Sequence, residues 1–178
     1  SRRQRQMCIR DSYHMMTGNY EQAEKRLLES INALTVTESM ARSYTVNIAA
    51  SYNYIGEILM EKEDYVQALP MFSTAISLCP GNVFSSLSVF YINAGKASFF
   101  QRDYAAAQAF LEKALALYGQ FDSFWRRPTM NSYLALTLVK NRNLSAARRH
   151  LLAAQKYMWQ MKNPSDQGSV FFSQALIR

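Results

Sequence analysis

The residues of this 178-residue chain best suited to chemistry are two histidines, two cysteines and thirteen acids, and their spacing assembles no reaction centre. His14 falls in the opening helical pattern, where packing suits it better than proton transfer, and His150 follows Arg148 and Arg149, a setting that predicts exposure. Cys8 and Cys79 sit among apolar residues without ligand spacing and read as reduced, buried thiols, which points to a reducing, cytoplasmic compartment. The sequence places no Ser–His–acid or Cys–His set, no glycine loop for phosphate and no His/Cys/Asp/Glu cluster for a metal. The expectation is a non-enzyme with no metal and no cofactor.

Charge is the stronger signal. Residues 1–122 carry 11 Lys/Arg against 12 Asp/Glu, whereas residues 123–178 carry 9 Lys/Arg against Asp166 alone. Arg126, Arg127, Arg142, Arg148, Arg149 and Lys156 could contact nucleic-acid phosphates. No aromatic-interleaved platform or base-reading motif accompanies them. A solvated face, or a contact to an acidic partner or sister domain, is the better reading, and nucleic acid is an unlikely partner. No apolar run has the length of a membrane span, so no membrane role is expected.

These residues must be positioned by helices. Apolar residues make up 49% of the chain, enough for a core, while 6 Gly and 4 Pro are too few for an all-β fold with frequent turns. Four segments align on one pattern: Gly18-Asn19-Tyr20-x-x-Ala23-x-x-x-Leu27, Glu63-Asp64-Tyr65-x-x-Ala68-x-x-x-Phe72, Arg102-Asp103-Tyr104-x-x-Ala107-x-x-x-Leu111 and Arg142-Asn143-Leu144-x-x-Ala147-x-x-x-Leu151. Asn19, Asp64, Asp103 and Asn143 suit helix N-caps, and Gln22 and Gln67 extend two of them toward a capping box. Upstream, Tyr52-x-x-Ile55-Gly56-x-x-Leu59 recurs as Tyr91-x-x-Ala94-Gly95-x-x-Ser98 and, more degenerately, as Asn131-x-x-Leu134-Ala135-x-x-Leu138. A Gly or Ala there removes bulk where two helices cross.

The combined pattern resembles the tetratricopeptide repeat, a helix–turn–helix unit, over nearly the whole chain and most fully in 49–82. The resemblance implies an all-α fold: a right-handed superhelical α-solenoid of antiparallel helix pairs. The repeats run approximately 4–36, 37–82, 83–120 and 121–162, with a partial one at 163–178. They form a single domain, and Ser1 together with the unfinished pattern at the end reads as a piece cut from a larger protein. The expected helices are 3–16, 19–34, 37–62, 64–79, 84–101, 103–118, 128–141, 143–161 and 166–177. Pro70 interrupts the fourth, a defect of roughly 3 kcal/mol in an isolated helix. Pattern copies recur after 45, 39 and 40 residues, longer than the common repeat. That length is similar to the sensor domains of MalT-type bacterial transcription regulators, of peptide-sensing bacterial regulators and of kinesin light chains.

In tetratricopeptide proteins the first helices of the pairs line a concave groove. The groove positions the resemblance carries over are Asn53, Tyr54, Glu57 and Met60, then Ile92, Asn93, Lys96, Phe99 and Phe100, then Tyr133, Leu136 and Lys140. Met15 and Met16 in the first repeat, and Thr129 and Ser132 in the fourth, fall at the same positions. The set is mostly apolar and aromatic with a few orienting polar groups, which suits a peptide or small effector. Asn53 and Asn93 could each hold an extended backbone through the amide. Equally, Met60, Ile92, Phe99 and Phe100 could be core. The clamp that some members use on chaperone C-termini matches only at Asn93 and Lys140; Leu136 cannot pair with a carboxylate and Glu57 would repel one. The sequence therefore points to a protein-, peptide- or effector-binding scaffold, the sensor region of a larger bacterial regulatory protein. The alternative is a structural module for self-association, a homo-oligomer, or packing against its own parent chain.

Overall fold

The computed structural model describes residues 18–79, 86–118, 126–161 and 164–177. The expected helix 3–16, with His14, Met15, Met16 and Cys8, lies outside them, as do Phe121, Phe124 and Trp125. The chain divides into two compact units, Ser1–Pro80 and Gly81–Arg178.

The first unit contains α1 (Tyr20–Leu34), the short α2 (Glu38–Ser43), α3 (Thr45–Glu61) and α4 (Tyr65–Ser77). The second contains α5 (Leu87–Phe100), α6 (Tyr104–Tyr118), α7 (Arg127–Lys140), α8 (Leu144–Lys156), a 3-10 turn at Met158–Gln160 and α9 (Pro164–Ile177). Helices α3 and α4, α5 and α6, and α7 and α8 pack as antiparallel pairs. Helix α1 packs on α3, and α9 on α7 and α8.

One turn is repeated within each of these three pairs. After α3, Asp64 N–H donates to the Leu59 carbonyl and Glu63 N–H to that of Met60, a Schellman closure. Arg102–Asp103 and Arg142–Asn143 repeat it, onto Phe99 and Ser98 and onto Val139 and Leu138. The residue before each cap has a positive φ: Glu63 at 58°, Arg102 at 66° and Arg142 at 61°, with Gly18 at 72° before α1. The caps act as expected. Their side-chain oxygens accept from the backbone N–H three residues on, at 3.4 Å for Asn19, 3.1 Å for Asp64, 3.0 Å for Asp103 and 3.2 Å for Asn143. Each turn thus ends one helix and starts the next with the same two residues.

The small-residue contacts also stand. A Cβ on Gly56 would lie 2.5 Å from Phe72 Cε1, and one on Gly95 would lie 2.6 Å from Leu111 Cγ. Ala23, Ala68, Ala107, Ala135 and Ala147 are fully buried. In the first unit Ala23, Leu27 and Ile31 of α1 meet Ile48, Ile55 and Ile58 of α3. In the second, Leu134 and Leu138 of α7 meet Leu151 of α8 and Val170 and Ile177 of α9.

Two long helices are shorter than expected. The helix expected over 37–62 is interrupted at Tyr44, beside which Thr45 Oγ1 donates to the Arg42 carbonyl. The helix expected over 143–161 stops at Lys156, and a 3-10 turn brings Met161 into the core. Helix α9 starts two residues early because Pro164 opens it, a place where proline fits. Helix α4 continues through Pro70, which faces solvent.

Candidate functional site

The expected groove residues fall into three environments. Ile92, Tyr133 and Leu136 are buried in the second unit, so Ile92 and Leu136 contribute packing rather than an open surface. Ile92 thus takes the core alternative that the sequence left open, and Leu136 is packed where a groove position was expected. Ile92 packs with Met130 and Ala114, and Leu136 joins the core around Leu151 and Val170. Asn53 and Asn93 are only 4% and 8% exposed. Asn53 Nδ2 donates to Glu57 Oε1 at 3.0 Å, i to i+4 on the same helix. Tyr54 and Lys140 are exposed, and Glu57 and Met60 are half-buried.

The three remaining positions, Lys96, Phe99 and Phe100, come together with Tyr133 in the second unit. Phe99, on the last turn of α5, packs against Phe100 at 5.7 Å between ring centroids, Tyr104 at 5.6 Å and Tyr133 at 6.1 Å. Phe100 lies 6.3 Å from Tyr133, edge to face. Lys96, one turn earlier on α5, holds Nζ 5.0 Å from the centre of the Tyr133 ring. Phe99 is half-buried and Phe100 is 41% exposed, so the cluster has a buried base and an open rim. Edge-to-face rings and a cation over a ring face each add attraction beyond burial.

The inner side of α7 is already in use. Asp166, on the first turn of α9, accepts from Lys96 Nζ at 2.9 Å through Oδ1 and from Thr129 Oγ1 at 3.3 Å through Oδ2. Ser169 Oγ donates to Ser132 Oγ at 2.6 Å, and Ser173 Oγ to the Ser132 carbonyl at 3.3 Å. Thr129 and Ser132, expected on the open groove, therefore face the chain's own last helix. Sequence reasoning missed Asp166, Ser169 and Ser173 as members of this arrangement. The available signal was that Asp166 is the lone acid of the basic third.

His150 is half-buried rather than exposed. Its Nδ1 lies 2.8 Å from Asn131 Oδ1, while the Asn131 amide donates to the Arg127 carbonyl. Burial and the adjacent Arg149 hold the imidazole below its ordinary pKa, against a weaker opposing pull from Glu112. Cys79 is half-buried and free, and its burial raises the thiol pKa, which leaves it a poor nucleophile. Among the described residues no group of His, Cys, Asp and Glu could hold a metal ion, and no helix is long and apolar enough to cross a membrane.

The paired helices, Schellman turns and buried alanines define an all-helical fold of the tetratricopeptide type. Residues 89–121 match the family model described as tetratricopeptide repeat. The match falls on the third pattern copy, although the sequence pattern is fullest in 49–82. Among solved structures, BtubC (BKLC) from P. vanneervenii is similar with a TM-score of 0.77 at 12% identity, over 97% of this chain and 70% of that one. The MamA RS-1 ArsTM double mutant has a TM-score of 0.60 at 16% identity, over 97% of this chain and 91% of that one. PilF of Pseudomonas aeruginosa has a TM-score of 0.54 at 17% identity, over 96% and 85%. At these identities the likeness is one of fold. No curated protein sequence matches the chain significantly. The chain thus carries a tetratricopeptide repeat within a tetratricopeptide-like fold of antiparallel helix pairs.

Proposed function

We propose that the chain is a non-catalytic protein-binding scaffold. Its second unit would take a peptide or protein segment at the cluster of Phe99, Phe100 and Tyr133, beside Lys96. The observation that carries this reading is an open aromatic rim on a buried aromatic base, next to a cation. A guest side chain can be desolvated against Phe100 while the Lys96–Asp166 pair beside it orients polar groups. The tetratricopeptide repeat match supports the scaffold class, because that repeat builds surfaces rather than reaction centres. The finer reading, a sensor arm of a bacterial transcription regulator, has no support in the comparisons, and the scaffold reading does not depend on it.

Panning a phage-displayed random peptide library on the full chain tests the proposal. Enriched peptides are expected to lose about tenfold in affinity on Phe100→Ser, a rim change that leaves the core intact. Peptides that bind Phe100→Ser and the original chain equally well would place the binding surface elsewhere.

One observation favours a second reading, self-association. Phe171, Phe172 and Leu176 are large apolar side chains exposed on α9. Sedimentation of the chain and of a Phe171→Ser/Phe172→Ser variant separates this reading from the first. A concentration-dependent dimer abolished by the variant supports self-association, and a monomer in both cases removes it.

A further inference from the structure

Helix α1 and the second helix of each described pair turn one side to solvent, and these sides differ. On α1 charges of both signs alternate, with Arg26 3.7 Å from Glu29 and Glu24 2.9 Å from Lys62. On α4 the exposed residues, among them Val66, Gln67 and Ser73, are uncharged. On α6 Glu112 and Lys113 stand side by side. Helix α8 is unlike all three, because its exposed charges are Arg148, Arg149 and Lys156, with no acid among them. Among the described residues no carboxylate forms an ion pair with these three. Arg148 reaches the Ile177 carbonyl at 3.5 Å, and Glu112 of α6 acts on His150 of the same helix as Arg148.

The same side is also apolar. Leu152 is 67% exposed, and Leu144 is exposed as well. Just beyond the helix end, in the 3-10 turn, Trp159 is 78% exposed. Leu144, Arg148, Leu152 and Lys156 follow at intervals of four, so they form one ridge along the helix, with apolar and cationic groups alternating. Burial of Ala147, Leu151 and Ala154 fixes the neighbouring side of α8 against α7, which leaves Arg148, Leu152 and Lys156 turned to solvent. Arg148, Arg149 and, just past the helix end, Trp159 are the residue types that binding hot spots favour, and Leu144 and Leu152 add exposed apolar area beside the arginines.

We propose that the outer ridge of α8 is a docking surface for an acidic amphipathic helix of a partner protein. Leu152 and Trp159 would be its anchors, and Arg148, Arg149 and Lys156 would pair with carboxylates. The alternation decides between classes of partner. A bilayer sorts apolar and charged groups by depth, whereas this ridge sets them at one height. Nucleic acid would satisfy the cations but leave Leu144 and Leu152 against phosphate. A second helix packed ridge into groove can present an acid opposite each cation and an apolar side chain opposite each leucine. The proposal concerns a different surface from the aromatic cluster and does not depend on it.

The emission of Trp159 gives the readout, assigned by its loss in Trp159→Phe. The probe is a designed helical peptide with Leu and Glu alternating along one i, i+4 row, titrated into the full chain. The same peptide with Lys in place of Glu, phosphatidylserine vesicles and duplex DNA serve as comparators. The acidic peptide should shift Trp159 emission to the blue and bind at least tenfold more tightly than the Lys peptide. Binding should weaken about tenfold on Arg148→Glu/Arg149→Glu, and by a similar factor on Leu152→Ser. It should be unchanged by Phe100→Ser and by Lys113→Glu, a cation exposed on α6. Circular dichroism confirms that each variant keeps its helices. The proposal is overturned if the acidic peptide binds no better than the Lys peptide, or if Leu152→Ser leaves its affinity unchanged. It is equally overturned if vesicles or DNA bind as tightly with the same dependence on these residues.

Discussion

In the first unit Asn53, a polar side chain of α3, bonds along its own helix to Glu57 at 3.0 Å, and surface cations pair with acids, as in Arg26–Glu29 and Glu24–Lys62. In the second, the polar side chains of α5 and α7 reach across to α9. Lys96 meets Asp166 at 2.9 Å, and Ser132 meets Ser169 at 2.6 Å, while among the described residues no carboxylate forms an ion pair with the outer cations of α8. The two units share one hairpin pattern, the same caps and the same turn. What separates them is where a few polar residues fall on that frame. Repetition therefore secures the fold in both, and the differences between copies decide which surfaces are occupied and which stay open.

The largest expected effect tests the shared frame. Gly56→Val should destabilise the first unit by about 3 kcal/mol, because the fully buried Phe72 ring has no room to move. Both tryptophans, Trp125 and Trp159, belong to the second unit. If the units unfold separately, urea titration of Gly56→Val will show early loss of helical circular dichroism with unchanged tryptophan emission. Coincident loss would show that the two unfold as one. Gly95→Val should reverse the order, with emission changing first, since its Cβ would meet Leu111.

The next effect tests the difference. Lys96 and Asp166 are mostly shielded from water, so Asp166→Ala leaves Lys96 without its anion and should cost about 2 kcal/mol. Hydrogen exchange of α9 should quicken in that variant before exchange elsewhere does. Glu57→Ala, which removes a bond within one helix of the first unit, should cost under about 1 kcal/mol. Equal costs would erase the contrast drawn between the units.

Smaller effects return to the turn. Arg102→Gly and Arg142→Gly relieve a left-handed backbone conformation and should each stabilise by up to about 1 kcal/mol in urea melts, whereas Gly18→Ala should cost about that much. The smallest is a pH dependence confined to the second unit. His150 has a lowered pKa in the fold, so between that value and its ordinary 6.5 the unfolded chain binds more protons than the folded one. Its contribution is complete above pH 6.5 and is lost as pH falls through that window. His150→Gln should flatten the decline in melting temperature between pH 7 and 5.

Much of the architecture was legible before any coordinates. Asn19, Asp64, Asp103 and Asn143 act as caps because capping is local chemistry, decided by a side chain and the backbone three residues on. Gly56, Gly95 and the buried alanines were legible because a missing side chain is visible in the alphabet itself. The left-handed turn residue was legible only at Gly18. Glu63, Arg102 and Arg142 adopt the same conformation with no such signature, held there by the Schellman bonds on both sides. The breaks at Tyr44 and Tyr157 were not legible either, since each depends on which carbonyl or core site a neighbouring residue takes up.

The candidate site was less legible than the fold. Family positions located Lys96, Phe99, Phe100 and Tyr133, but nothing in the pattern said that these would touch, nor which of Ile92, Phe99 and Phe100 would be buried. By itself the sequence determined the helix pairs, their turns and their crossings, because each rests on contacts between residues close in the chain or on a spacing that repeats. Only the tertiary structure decided that α9 covers Thr129 and Ser132, that His150 faces Asn131, and that among the described residues no acid pairs with the outer ridge of α8. Those outcomes depend on pairs up to seventy residues apart, as in Lys96–Asp166. No periodic pattern encodes such pairs, because each occurs once.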